Sequence, residues 1–137
     1  MSKLSSEDIK KILKNNEPKS KKILSDEASY NDFMKEVNKK MKSIKTNNNN
    51  LNKLIEDIEL LVGMVQDYYH KRYTVIPVKS ILSIIGGLIY VIAPVDAIPD
   101  FIPVVGYVDD AGVIALVLNL IDSDLQAYKK WKSSQKN

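Results

Sequence analysis

The segment from Leu51 to Arg72 alternates apolar and polar residues with the period of an α-helix. Its apolar positions recur three and four residues apart, which places them on one face of a helix. These positions are Leu54, Ile55, Ile58, Leu61, Val62, Val65, Tyr68 and Tyr69. The charged residues of the segment, Asp67 among them, fall largely between them. The pattern predicts an amphipathic helix whose apolar stripe packs on the segment that follows.

The next segment, Ser80 to Val95, is apolar apart from two serines and one tyrosine hydroxyl. A helix that is apolar on every face is either buried in protein or lies in a membrane. Pro77, which suits the first turn of a helix, marks its start. Gly86 and Gly87 each cost such a helix up to about 1 kcal/mol relative to alanine. We expect them to allow the close approach of a second helix, with Gly112 as the candidate opposite them.

A second apolar arm begins near Asp110 and runs to about Trp131, becoming amphipathic in its second half. The two arms flank a connection with three prolines, which a continuous helix would not tolerate. These are Pro94, Pro99 and Pro103. Gly106 is the expected left-handed turn residue, and Asp109 or Asp110 is expected to cap the last helix, worth about 1 kcal/mol. The pattern predicts an apolar helical hairpin over residues 77–121, with a connection rich in Asp and Pro.

Residues 1–46 have the pattern of short basic helices, with a break at Glu17-Pro18 because the residue before a proline avoids the helical conformation. Twelve lysines stand against seven acidic residues in the first fifty positions. Such a basic face can bind nucleic acid or anionic lipid, or can be an ordinary solvated surface. We favour the solvated surface and do not expect nucleic acid as a partner, because this part has no Arg. A polar run at 46–50 separates these helices from a helical domain at 51–132.

Composition limits the chemistry that is open to the chain. At 137 residues it is one domain's worth and can bury a core without a covalent staple. The absence of cysteine excludes disulfides and thiolate sites, and the single histidine, His70, excludes a multi-histidine site within one chain. The polar start lacks the apolar core of a secretory signal, so we expect the protein in the cytoplasm rather than secreted.

Four carboxylates within fifteen residues make the connection the main candidate site. They are Asp96, Asp100, Asp109 and Asp110. Hard oxygen ligands suit Mg²⁺ or Ca²⁺ as a cofactor, although the spacing matches no helix–loop–helix calcium site. Alternatively, the aspartates are structural: they cap a helix and accept backbone N–H groups in turns around the prolines. We favour the structural interpretation over a bound cation, and a bound cation over acid–base catalysis, which also needs a pocket.

The string from Asp96 to Asp110 resembles the core motif of the YkvA-like domain of unknown function. Two Asp-x-Ile-Pro units are followed by a glycine and a pair of aspartates. The resemblance is close over residues 77–121 and extends more loosely upstream through 51–72. The structural residues that accompany the four aspartates are Pro94, Pro99, Pro103 and Gly106. The resemblance implies no established activity, and members of the family are commonly regarded as membrane proteins.

A membrane hairpin and a buried hairpin are the two alternatives for residues 77–121. Basic residues flank the outer ends of both arms, as the positive-inside rule expects. Length argues against spanning, because a transmembrane helix needs about 20 apolar residues, whereas the second arm offers eleven. We therefore expect a compact all-α helical bundle around a central apolar hairpin.

The favoured function is a non-enzymatic structural or interaction module. The first alternative is a membrane-associated protein that inserts the hairpin of residues 77–121. The second is a divalent-metal-dependent enzyme that uses the aspartates of the connection. The expected partner is another protein, a second copy of the chain or membrane lipid, and membrane association is the alternative to a purely cytoplasmic location.

Overall fold

The computed structural model describes residues 5–47, 52–92 and 110–135. Seven helices make up the regular structure of these residues. They are α1 (Ser6–Asn15), α2 (Glu17–Ser25), α3 (Glu27–Asn47), α4 (Asn52–Tyr69), α5 (Val78–Ile92), α6 (Asp110–Leu120) and α7 (Asp122–Ser134). The predicted all-α fold is confirmed.

The first two helices have ends that local interactions explain. The Oγ of Ser5 accepts the N–H of Asp8 at 3.1 Å, and the Ser5 N–H donates to the Asp8 carboxylate at 3.2 Å. This capping box supplies acceptors for two N–H groups at the helix start that have no carbonyl partner within the helix. Helix α1 ends at Asn15, and α2 begins at Glu17 with Pro18 in its first turn. A break is therefore present, but it lies at Asn16, one residue before the predicted Glu17-Pro18, and Glu17 is helical because Pro18 is accommodated in the first turn of α2.

Helix α4 ends in a tight turn that returns the chain to the helix. Lys71 has a φ of 61°, the left-handed conformation that residues other than glycine rarely adopt. Its N–H donates to the Tyr68 carbonyl at 3.1 Å, and the Arg72 N–H donates to the Asp67 carbonyl at 2.8 Å. These two bonds form a Schellman motif, which occupies carbonyls left open at a helix C-terminus. Helix α4 therefore stops at Tyr69, short of the predicted Arg72.

The left-handed conformation of Lys71 makes it a site for stabilisation. Replacing Lys71 with glycine is expected to raise the free energy of unfolding by about 1 kcal/mol, because glycine has no Cβ to clash in this conformation. Urea unfolding followed by circular dichroism measures the change. Lys71→Ala is the matched control, since it removes the same charge but keeps the Cβ. Equal stability of the two variants would contradict the expectation.

Helix α5 lies at the centre of the bundle. Five helices, α1 to α4 and α6, pack against it. From Ile81 to Val91 every residue except Ser83 is buried, and Ile81, Ile84 and Ile85 have 0% exposure. The predicted bundle around a central apolar hairpin is confirmed for the described residues, and protein covers α5 around its circumference.

Gly86 and Gly87 let two different helices approach α5. A Cβ on Gly87 would lie 2.8 Å from Cγ2 of Val117 on α6, closer than real Cβ atoms come. A Cβ on Gly86 would lie 3.2 Å from Cδ2 of Leu13 on α1. The predicted close approach is present. Gly112, the residue expected opposite the pair, is not among the nearest neighbours of either glycine.

The C-terminal arm is kinked where the sequence predicts one continuous helix. Ile121, with φ −108° and ψ 19°, separates α6 from α7. Helical hydrogen bonds nevertheless run through the kink: the Ile121 N–H donates to the Val117 carbonyl at 3.1 Å, and the Leu125 N–H donates to the Ile121 carbonyl at 2.8 Å. Two aspartates occupy the first turn of α7, where the helix dipole favours negative charge.

Candidate functional site

The acidic site predicted from the sequence lies outside the described residues. Seven of its residues fall within 93–109: Asp96, Asp100, Asp109, Pro94, Pro99, Pro103 and Gly106. Asp110 is described only as the first residue of α6, without its side chain. A common cation site for these aspartates therefore stays a prediction. Within the part of the chain that the structure describes, no group of three His, Asp or Glu residues could hold a metal ion.

Asp67 on α4 is the only buried charged residue in the described parts of the chain, with 2% exposure. Its Oδ1 accepts Nε–H of Arg72 at 2.7 Å. Its Oδ2 accepts the hydroxyl of Tyr128 at 2.6 Å and Nζ–H of Lys132 at 3.3 Å. We call these four residues the Asp67 cluster. The cluster joins α4, the turn that follows it and α7.

The donors around Asp67 keep it ionised. Burial by itself raises the pKa of this carboxyl, but the hydrogen bonds from Tyr128, Arg72 and Lys132 outweigh burial, and the pKa falls below its ordinary value of 3.8. Burial and the bond to Asp67 raise the pKa of Tyr128 above its ordinary value of 10.0. The cluster therefore holds a carboxylate and a neutral phenol across the neutral pH range.

Two further aromatic rings pack against Tyr128 of the cluster. Tyr73 lies with its ring centroid 5.4 Å from that of Tyr128 and 4.8 Å from that of Trp131. Tyr128 and Trp131 are 5.9 Å apart. One edge-to-face pair and two tilted pairs at these distances add to the packing of α7 on the rest of the bundle.

The Asp67 cluster has the chemistry of a structural clamp. Both carboxylate oxygens are occupied by donors of the same chain, so neither is free to take a proton from a substrate. The sequence placed Asp67 among the polar residues of the helix, and the structure buries it. Its buried partner, Tyr128, is 61 positions away, so the only local signal was Arg72, five residues further on.

A second feature is an open groove of about 520 Å³ where α1 and the start of α2 face α5 and the end of α6. We call it the basic groove. Its described lining is Lys10, Leu13, Lys14, Glu17, Lys79, Leu82, Ser83 and Leu120. The three lysines form no ion pair with a described acidic residue, whereas Glu17 pairs with Lys21, outside the groove, at 3.4 Å. The groove therefore combines an aliphatic floor with an excess of positive charge, three lysines against Glu17.

Exposed aliphatic side chains lie beside the basic groove. Leu120, part of its lining, is 46% exposed, and Val78 is 52% exposed. Val78 precedes Leu82 by four residues, which places both on one face of α5. Val75, in the segment before α5, is 79% exposed. No other large apolar residue in the described ranges is exposed to this degree.

Comparisons with known proteins point to one family. The family described as "Protein of unknown function (DUF1232)" matches residues 80–116. The "Uncharacterized membrane protein YkvA" of Bacillus subtilis (strain 168) is 35% identical over 83 residues, which cover 61% of this chain and 78% of that protein. No solved structure gives a significant match. Among the described residues, no helix has both the length and the apolar character needed to cross a membrane.

Proposed function

The chain belongs to the YkvA-like family of proteins of unknown function (DUF1232). We propose that it is a non-enzymatic interaction module that associates with a membrane surface. Its apolar hairpin is then the protein's own core and does not enter the bilayer. This proposal joins the membrane description of the Bacillus subtilis relative to the burial of α5 in this chain.

The burial of α5 beneath its neighbouring helices is the main observation that supports the proposal. Residues 81–91 lie beneath five helices and, apart from Ser83, are buried. Exposing them to lipid would mean removing α1 to α4 from contacts that bury their own apolar side chains, including Ile12, Leu61 and Val65. Lipid offers no gain over that protein cover, because both are apolar.

Helix length supports the same conclusion. Helix α5 has 15 residues and α6 has 11. At about 1.5 Å per residue they are roughly 22 Å and 16 Å long, against a hydrocarbon core of about 30 Å. An inserted hairpin, the first alternative from the sequence, would have to thin the bilayer or draw the connection into it.

The non-enzymatic part of the proposal rests on how the buried polar chemistry is used. Two ionisable groups with shifted pKa values, Asp67 and Tyr128, are bonded to each other, and Asp67 also accepts hydrogen bonds from Arg72 and Lys132. Such a satisfied network holds helices together. A catalytic carboxylate would instead keep one oxygen available to its substrate.

Cell fractionation tests the proposal. The full chain is produced in bacteria, and membranes are washed with high salt and, separately, with alkaline carbonate. We expect both washes to release the membrane-bound fraction, and the released protein to stay monodisperse without detergent. An integral membrane protein of the same cells serves as the control that resists both washes. Retention in the carbonate-washed pellet, or a need for detergent, would overturn the proposal and favour an inserted hairpin.

The acidic connection gives a separate prediction. If the aspartates are structural, adding Mg²⁺ or Ca²⁺ is expected to leave the melting temperature unchanged. A cation at 100 times its Kd would add about 2.7 kcal/mol, which raises the melting temperature by on the order of 10 °C. A rise that EDTA reverses, and that an Asp96→Asn/Asp100→Asn variant lacks, would support the cation site instead.

A further inference from the structure

We infer that the basic groove is the surface that docks on anionic phospholipid, with its lysines against the headgroups and Leu120 and Val78 entering the interface. The inference rests on the proposed membrane-surface role and assigns that role to one face of the molecule. That face is formed by α1, the first half of α5 and the end of α6.

The charge of the groove is suited to an anionic surface. Lys10 and Lys14 lie one turn apart on α1, and Lys79 faces them from α5. Each lysine near an anionic membrane surface contributes about 1 kcal/mol of binding. Among the acidic residues described nearby, Glu17 is paired with Lys21. Asp124 of α7 accepts the Ser80 hydroxyl at 2.7 Å, and Ser80 lies about 100° around α5 from Lys79.

The apolar part of the groove suits the interfacial layer of a bilayer. Leu120 and Val78 are about half exposed, and the floor beneath them is aliphatic, formed by Leu13 and Leu82. Lysines can extend their charged ends towards headgroups while aliphatic side chains beside them enter the acyl boundary. This arrangement needs no change in the fold, because Leu120 and Val78 are already exposed.

The same lining argues against other occupants. The described residues of the groove include no Arg and no aromatic ring. Arg, Tyr and Trp dominate the centres of protein interfaces, and aromatic stacking and Arg support the binding of nucleic acid bases. A surface of lysine and aliphatic side chains instead matches the combination by which peripheral proteins bind anionic lipid.

Vesicle flotation with charge-reversal variants tests the assignment. The full chain is mixed with vesicles of phosphatidylcholine containing 30% phosphatidylglycerol (a composition chosen for about the charge of a bacterial membrane) or with phosphatidylcholine alone. We expect binding to the anionic vesicles only. Lys10→Glu/Lys14→Glu/Lys79→Glu is expected to weaken that binding by about a hundredfold or more, since each reversed lysine removes roughly 1 kcal/mol or more.

A matched control separates the groove from total charge. Lys35→Glu/Lys39→Glu/Lys130→Glu reverses three other exposed lysines and changes the formal net charge by the same amount. We expect this control to keep most of the binding. Equal loss in both variants, or no loss in the groove variant, would overturn the inference. Circular dichroism and urea unfolding verify that both variants are folded.

The absence of cysteine permits a site-specific probe of the apolar contact. In a Leu120→Cys variant labelled with an environment-sensitive fluorophore, we expect a blue shift of emission on adding anionic vesicles. Asn38→Cys, an exposed position on α3, should show no shift. A blue shift that depends only on protein concentration, without vesicles, would make a second copy of the chain the occupant and would overturn the inference.

The outcomes separate this inference from the proposed function. If the purified chain binds anionic vesicles and the two charge-reversal variants lose the same amount of binding, the membrane-surface role stands and the groove is rejected as the docking surface. Chain that binds no vesicles rejects the groove as a lipid site, while release from cell membranes by salt would still support the proposed function through another kind of partner. Resistance to carbonate rejects the proposed function itself.

Discussion

Replacing Asp67 with alanine is expected to lower the free energy of unfolding by about 3 kcal/mol, because it leaves three donors without their acceptor. The largest share of the loss comes from Tyr128, because its hydroxyl is buried and donates to Asp67 at 2.6 Å. Arg72 and Lys132, with side chains 54% and 51% exposed, can return to water. Urea unfolding measures the loss, and a value below about 1 kcal/mol, the level of an exposed ion pair, would contradict a clamp at this position.

A double-mutant cycle separates the Asp67–Tyr128 bond from the ion pairs. Tyr128→Phe alone should cost about 1 to 2 kcal/mol, because it leaves one carboxylate oxygen with only Lys132 as a donor. In the Asp67→Ala background the same substitution should cost much less, because the partner is already gone. Additive losses would show that the hydroxyl and the carboxylate do not act together.

The Asp67 cluster also predicts a pH dependence. Because the folded state lowers the pKa of Asp67 below 3.8, this carboxylate stabilises the fold fully above that pH and loses its contribution as the pH falls through the lower folded value. The raised pKa of Tyr128 has the opposite sign: its contribution is complete below 10.0 and is lost at higher pH. The stability difference between wild type and Asp67→Asn should therefore be constant in the middle of the pH range and shrink below pH 3.8.

Replacing Gly87 with valine is expected to lower the free energy of unfolding by about 3 kcal/mol. The first added carbon would already lie 2.8 Å from Cγ2 of Val117 on α6. Helices α5 and α6 would have to separate, which opens space elsewhere in the core. Thermal or urea unfolding measures the loss.

A compensating substitution identifies the contact. Gly87→Ala alone should destabilise the chain, since overlap with Val117 outweighs the gain in helix propensity of about 1 kcal/mol. In a Val117→Ala background the overlap disappears, and Gly87→Ala should become stabilising. The same sign in both backgrounds would contradict the packing of α6 against Gly87.

The sequence predicted the helices and the central hairpin well because those features follow from local composition. An apolar run such as Ser80 to Val91 is expected to be removed from water in any fold. The Gly86-Gly87 pair within it indicates close packing of another helix. Which helix approaches each glycine depends on tertiary arrangement, so Leu13 and Val117 could not be chosen in advance. The kink at Ile121 could not be predicted because apolar positions keep their helical spacing across it, from Val117 and Ile121 to Leu125 and Tyr128.

The basic groove and the Asp67 cluster had weaker signals in the sequence. In the basic groove, Lys79 lies near Lys10 and Lys14 although it is distant from them in the sequence. No local run of charged residues therefore predicts the groove. Asp67 was predictable as a helix residue but not as a buried one, since Tyr128 and Lys132 come from α7. The acidic connection was conspicuous in the sequence and lies outside the described residues, so its cation chemistry is still a prediction.

Hydrogen exchange of the α5 amides tests the central claim, a hairpin covered by protein, most directly. The full chain is measured in detergent-free buffer, with and without anionic vesicles. We predict that residues 81–91 exchange only through global unfolding, at the free energy given by urea, and that vesicles leave this value unchanged. Fast exchange in buffer that slows when vesicles are added would contradict the claim, because lipid would then be supplying the cover.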